Sequence, residues 1–163
     1  MGIKSSLENK KGFTIIEVVL VLAIAGLIFL MVFLAWPALQ RNQKDTQRKE
    51  DMARFLTSLN NYQSNNNGKV PENWGDFIKN YLQTNGDTFE DPNGTAYYVA
   101  DRGKVTGAES VSYKCSEGTC DGEIQLYHSA TCDGEQVKAS KGGERKIAFM
   151  YKLEGAGVYC GSN

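Results

Sequence analysis

The apolar positions of this chain change period three times, and each change marks an element. From Phe13 to Trp36 nearly every position is apolar, and the 24 residues carry one charge, Glu17. A helix apolar on every face must be buried in protein or lipid, and no second segment of the chain is suited to bury it. At ~1.5 Å per residue the run spans about 36 Å, enough for a hydrocarbon core of roughly 30 Å. Its weak points are Gly26 and Pro37. Glycine costs about 1 kcal/mol relative to alanine inside a helix, and proline about 3 with a lost hydrogen bond. A kink or partial melting is therefore expected between them.

The helix continues from Ala38 to about Gln63. Gln40 to Asp51 are all polar, which places that stretch between the membrane and a folded domain. Arg41, Lys44 and Arg48 share one helical face. This reads as a solvated or subunit-contacting face laced with Asp45, Glu50 and Asp51, in preference to a surface for DNA or an acidic partner. Met52, Phe55, Leu56, Leu59 and Tyr62 then recur at helical spacing, and Asn65-Asn66-Asn67-Gly68 ends the helix. A second, short helix follows. Asn73 can cap it with Asp76 three residues on, and Trp74, Phe77, Ile78, Tyr81 and Leu82 make its amphipathic face before Asn85-Gly86.

From Thr88 the period falls to two. Asp91-Pro92-Asn93-Gly94 reads as a turn and Tyr97-Tyr98-Val99 as a strand. Three further alternating sets follow: Val111, Tyr113 and Cys115; Ile124, Leu126 and His128; and Ile147, Phe149, Tyr151 and Leu153. The fold class is α+β: a long N-terminal apolar helix, a spine whose C-terminal half packs on a small antiparallel, meandering sheet. The expected divisions are 1–12, a leader; 13–36, a membrane helix; 37–65, its continuation; and 66–163, a disulfide-containing head.

The polar leader distinguishes the apolar run from a generic span. It carries Lys4, Lys10 and Lys11 and ends on Gly12. A secretory signal has an apolar region of about 7–15 residues followed by a small-residue cleavage site. Here the run is longer, and the small residue precedes it. Gly12 is thus the junction that a protease at the membrane face could reach. Glu17, four residues into the run, costs up to about 2.5–3.5 kcal/mol if it reaches the bilayer centre, less near an interface. It calls for a cationic partner.

Lys10-Lys11-Gly12-Phe13-Thr14-Ile15-Ile16-Glu17-Val18 resembles the processing site of type IV pilins and pseudopilins, closely over about residues 10–40 and beyond that in layout. The resemblance implies cleavage after Gly12 by a membrane peptidase that also methylates the new amine of Phe13. It implies that Glu17 attracts the N-terminal ammonium of a neighbouring subunit. It also implies that the helix near Gly26 and Pro37 can lose helicity when a filament stretches. The implied partners are further copies of the chain in a helical homopolymer, the prepilin peptidase and methyltransferase, the pilus assembly machinery and the inner membrane. The implied locations are the cytoplasmic membrane for a single-pass precursor with its N-terminus in the cytoplasm, and an extracellular pilus after assembly.

Composition narrows the remaining classes. Net charge is −1, and removal of Lys4, Lys10, Lys11 and Glu8 with the leader leaves −3, no global electrostatic case for nucleic acid. Basic residues flank both ends of the span, so charge alone does not orient it. Four cysteines beside an export segment suggest two disulfides in an oxidising compartment, with three possible connectivities. Cys115 and Cys120 flank Ser116-Glu117-Gly118-Thr119 and could close a tight hairpin; Cys132 and Cys160 would then tie the C-terminus. The family often pins its C-terminal region in that way, and such a loop would gain about 3–4 kcal/mol. Metal binding is disfavoured: Cys-x4-Cys is not zinc spacing, and His128 is the one histidine. Asn93-Gly94-Thr95 fits a glycosylation acceptor but is read as a turn. No catalytic constellation is present, and no cofactor is implied. The expected function is a structural pilus subunit, a major pilin, serving adhesion, twitching motility or DNA uptake. The competing expectations are a pseudopilin of type II secretion and an anchored surface binding module that never polymerises.

Overall fold

A computed structural model describes residues 12–84, 86–115, 120–155 and 157–163. The leader lysines, Asn85 and the Ser116–Thr119 turn lie outside the described residues. The chain divides into two compact units, Met1–Gln40 and Arg41–Asn163.

Helix α1 runs from Ile15 to Asn65, 51 residues, with Pro37 inside it. Helical bonding passes through both Gly26 and Pro37. The melting expected between them is absent from this single chain. Proline removes one bond, from its own nitrogen to the Phe33 carbonyl, and the turns on either side keep theirs. In the first unit α1 accounts for all of the described residues but Gly12–Thr14, and it is the one described helix long and apolar enough to cross a membrane. Its large side chains from Ile15 to Leu39 stand exposed.

In the second unit α1 contributes a buried stripe, Met52, Phe55 and Leu59, each 0% exposed. Phe55 is the hinge of an aromatic cluster, 5.0 Å edge-on to Phe149 and 5.8 Å edge-on to Phe77. The helix ends where Gly68 N–H donates to the Gln63 carbonyl at 2.7 Å, with Asn67 at φ 54°. Left-handed backbone is uncommon outside glycine and tolerated best by asparagine. Helix α2, Trp74–Phe77, follows, and the chain continues as a π-helical turn, Ile78–Leu82. Asn73 Oδ1 caps it by accepting from the Gly75 and Asp76 amides at 2.9 and 3.2 Å.

Six strands complete the head: β1 Tyr98–Lys104, β2 Glu123–His128, β3 Ala130–Asp133, β4 Gln136–Ala139, β5 Ile147–Lys152 and β6 Val158–Ser162. They form a four-stranded sheet in the order β1-β2-β5-β6 and a separate β3-β4 hairpin. The sheet is mixed, which corrects the antiparallel meander. β1 and β2 are parallel because residues 105–122 cross back to the starting end of the sheet. The expected strand at Val111–Cys115 is reduced to one bridge, Val111 to Val137, within that crossover. Both sheet faces are covered. Ile124, Leu126, Ile147, Phe149 and Tyr151 pack toward α1, and Tyr127, Ala148 and Met150 pack with Val105, Ala130 and Val137. On the second face even Glu123 and Gln125 are 1% exposed. Arg102 pairs with the Glu123 carboxylate, Gln125 Nε2 donates to Glu123 Oε1 at 3.0 Å and Tyr127 Oη donates to Gln125 Oε1 at 3.3 Å, so both of these buried side chains are satisfied.

The polar stretch of α1 is corrected as well. Asp45, Arg48 and Asp51 are buried in the head. Arg48, 4% exposed, grips Asp91 with two bonds, Nε at 2.6 Å and Nη2 at 3.0 Å. Its Nη1 reaches Asp45 at 2.9 Å and Glu154 at 3.2 Å. Tyr151 Oη donates to Asp91 at 2.7 Å. Asp45 in turn accepts the amides of Glu154 and Gly155, both at 2.8 Å, strapping the β5–β6 turn to the helix. Arg48 therefore joins α1, the Asp91–Gly94 turn and the β5–β6 turn.

Burial works to raise the pKa values of Asp45 and Asp91. The Glu154 and Gly155 amides with Arg48 outweigh it at Asp45, and Arg48, Tyr151 and the Asn93 amide outweigh it at Asp91, so both carboxyls stay below their usual value. Burial wins at Asp51 and raises its pKa. A carboxyl with a depressed folded pKa stabilises the fold above its unfolded value, about 4, and that stability is lost as pH falls through the folded pKa. Asp51 acts with the opposite sign.

Two outcomes are expected for the full chain in detergent. Arg48→Met leaves Asp45 and Asp91 buried without their cation and should cost about 3–5 kcal/mol in urea unfolding, whereas Arg41→Met on the exposed side should change it by less than about 0.5 kcal/mol. In thermal melts taken below about pH 4, the wild type should lose stability steeply, and Asp91→Asn should start lower and fall less steeply, because one of the depressed carboxyls is gone.

Candidate processing and assembly site

The site is the start of α1, where a polar N-terminus meets an apolar shaft. Gly12, Phe13 and Thr14 precede the first helical residue, Ile15. Four amides at a helix start have no partner inside the helix. Thr14 and Glu17 supply two of the missing acceptors for each other. Thr14 N–H donates to Glu17 Oε2 at 2.8 Å, and Glu17 N–H donates to Thr14 Oγ1 at 3.4 Å. The Thr14 hydroxyl also donates to Glu17 Oε2 at 2.8 Å. This is a capping box, with Thr14 at the cap and Glu17 three residues on.

In the single chain the Glu17 carboxylate is therefore occupied locally. One oxygen takes both Thr14 donors, and the other, Oε1, has no protein donor among the described residues. That free oxygen could receive a cation from another chain without dismantling the cap. Thr14 stood within the motif read from the sequence but without a role. The signal for it was present, since Thr-x-x-Glu before an apolar run is a helix-start signature.

Among the described residues nothing crowds the backbone at the site. A Cβ built at Gly12 meets no atom within 4 Å, and Phe13 is 90% exposed. Gly26 is likewise uncrowded, and Pro37 lies on the shaft beyond it. The exposed apolar side chains extend around the helix rather than along a stripe, with Val18, Val19, Leu20, Val21 and Leu22 all about half exposed or more. A surface like this has no stable state in water and is complete only in lipid or against other apolar helices.

The remaining sequence-derived residues lie in the head. Cys115 is bonded to Cys120, and Cys132 to Cys160 with Cα atoms 5.8 Å apart. The second bridge joins β3 to β6 across the two sheets. His128, at the end of β2, bonds through Nε2 to Asp101 Oδ2 at 2.8 Å. Burial raises and His128 lowers the Asp101 pKa, and the net is a depressed value. The described residues contain no cluster of three or more histidine, cysteine or acidic side chains suited to a metal.

Neither a curated protein nor a solved structure matches this chain. Residues 8–33 match the prokaryotic N-terminal methylation motif, a model that covers Gly12, Phe13, Thr14, Glu17 and most of the exposed apolar shaft.

Proposed function

We propose that this chain is a filament subunit of the type IV pilin and pseudopilin class and, within it, a pilin. It would be held in the membrane by residues 13–36, cut after Gly12, methylated on Phe13 and packed helix against helix into a surface fibre. The observation that carries this reading is the conjunction at residues 8–33: a methylation motif that spans the Gly12-Phe13 junction, where Phe13 is exposed, and continues along a helix exposed and apolar around its circumference. An anchor needs only the apolar length. A polymerising helix also needs an accessible junction and an acidic group near its start, and Gly12 and Glu17 provide them.

The assembly step follows from charge. After cleavage the amine of Phe13 is a new cation, and Glu17 is the one carboxylate on the shaft. In a low-dielectric bundle each charge is costly alone, and the two attract strongly when paired. Pairing the ammonium of one subunit with Glu17 Oε1 of its neighbour would set the axial stagger between them, while the apolar flanks supply most of the association energy. Two disulfides in the head suit an exposed, loaded fibre and favour the pilin over the pseudopilin.

Two measurements test the reading. Mass spectrometry of filaments sheared from cells should find an N-terminal peptide beginning at methylated Phe13; an intact Met1 terminus, or no protein in the sheared fraction, would instead mean an anchored module. Glu17→Ala should leave cleavage after Gly12 intact and reduce sheared filament to background. Normal filaments from that variant would sink the charge-pairing step.

A further inference from the structure

An open cleft of about 950 Å³ lies in the head, where the carboxyl ends of the parallel strands β1 and β2, at Lys104 and His128, meet the end of α1 and the β4–β5 loop. It is built from residues 67–145 alone, so it stands or falls independently of polymerisation. Its lining carries Lys69, Lys104 and Arg145 with two carboxylates, Glu72 and Glu144.

Arg145 is the informative member. Its backbone carbonyl is fixed by Gln63 Nε2 at 3.0 Å and Asn163 Nδ2 at 3.1 Å. Its side chain lies across Gly68, where a Cβ would sit 2.9 Å from Arg145 Nε. Gly68 has φ +77°, a backbone conformation that favours glycine. The backbone of Arg145 is thus held at the cleft, while neither its exposed guanidinium nor the exposed Lys69 ammonium has a hydrogen-bond or ion-pair partner among the described residues. Lys104 reaches only Glu144, at 3.5 Å.

We propose that this cleft binds an acidic saccharide, with Arg145 and Lys69 on the sugar carboxylate and Glu72 and Glu144 on its hydroxyls. A guanidinium matches a carboxylate with two parallel bonds. Carboxylates are acceptors only and suit the many hydroxyl donors of a sugar. The volume accommodates two or three sugar rings and lies within the usual range of ligand pockets.

The test is calorimetric titration of the full chain in detergent with trigalacturonate, alongside a neutral trisaccharide and a single-stranded oligothymidylate. Trigalacturonate should bind saturably and the neutral sugar should not. Arg145→Gln and Lys69→Gln should each weaken binding about tenfold or more with an unchanged melting temperature. Glu72→Gln separates the chemistries: it weakens a hydroxyl contact but strengthens a purely electrostatic one. Absence of saturable binding, binding indifferent to Arg145→Gln, or tighter oligothymidylate binding that Glu72→Gln enhances would each overturn the proposal.

Discussion

A guanidinium cannot leave water alone, and the head is arranged around that constraint at Arg48. Its five donors need carboxylates, and they come from a helix neighbour, a turn 43 residues on and a turn 106 residues on. The charge therefore selects one arrangement of α1, the Asp91–Gly94 turn and the β5–β6 turn from the many that would bury the same apolar stripe. Hydrophobic burial of Met52, Phe55 and Leu59 drives the packing, and it is indifferent to small slips along the helix. The bidentate grip on Asp91 is not, because a slip of one residue rotates Arg48 by about 100° around the axis.

Helix α1 changes its surroundings along its length while its helical bonding continues past the one bond that Pro37 removes. Up to Leu39 its side chains are apolar all round and stand exposed; from Asp45 onward one face is buried in the head. Continuity through Pro37 belongs to the single chain. The capping box at Thr14 likewise belongs to the single chain, with one oxygen of the Glu17 carboxylate committed to its own helix. A chain poised in this way has one unspent acceptor oxygen at the place where a neighbour's charge is expected.

Much of this was legible in the sequence, for a physical reason. The apolar shaft, the Met52–Tyr62 stripe, the Asn73 cap and the cores of β2 and β5 are set by local periodicity, which survives folding. What escaped depended on distant partners. Arg48 looked solvated because Asp91 and Glu154 are remote in sequence. The parallel pairing of β1 with β2 depends on a connection whose described residues make a single strand-like bridge, at Val111. β3 and β4 are four residues each, too short for a period to register. In β6, Gly161 interrupts the pattern because the Phe149 ring occupies its side-chain space, with a built Cβ only 2.5 Å from Phe149 Cζ. At the candidate site almost every signal was local, and even the overlooked Thr14 was spelled in four consecutive residues.

The bridge between Cys132 and Cys160 bears on how heads behave when crowded. β6 is an outer strand of the four-stranded sheet, and an outer strand is a template on which another chain can add itself, the first step of strand exchange or aggregation. The bond staples the β3–β4 hairpin beside β6, with Thr131 Oγ1 and Ser162 Oγ 3.5 Å apart in support. A second copy brought close is then denied β6 as a place to add its own strand.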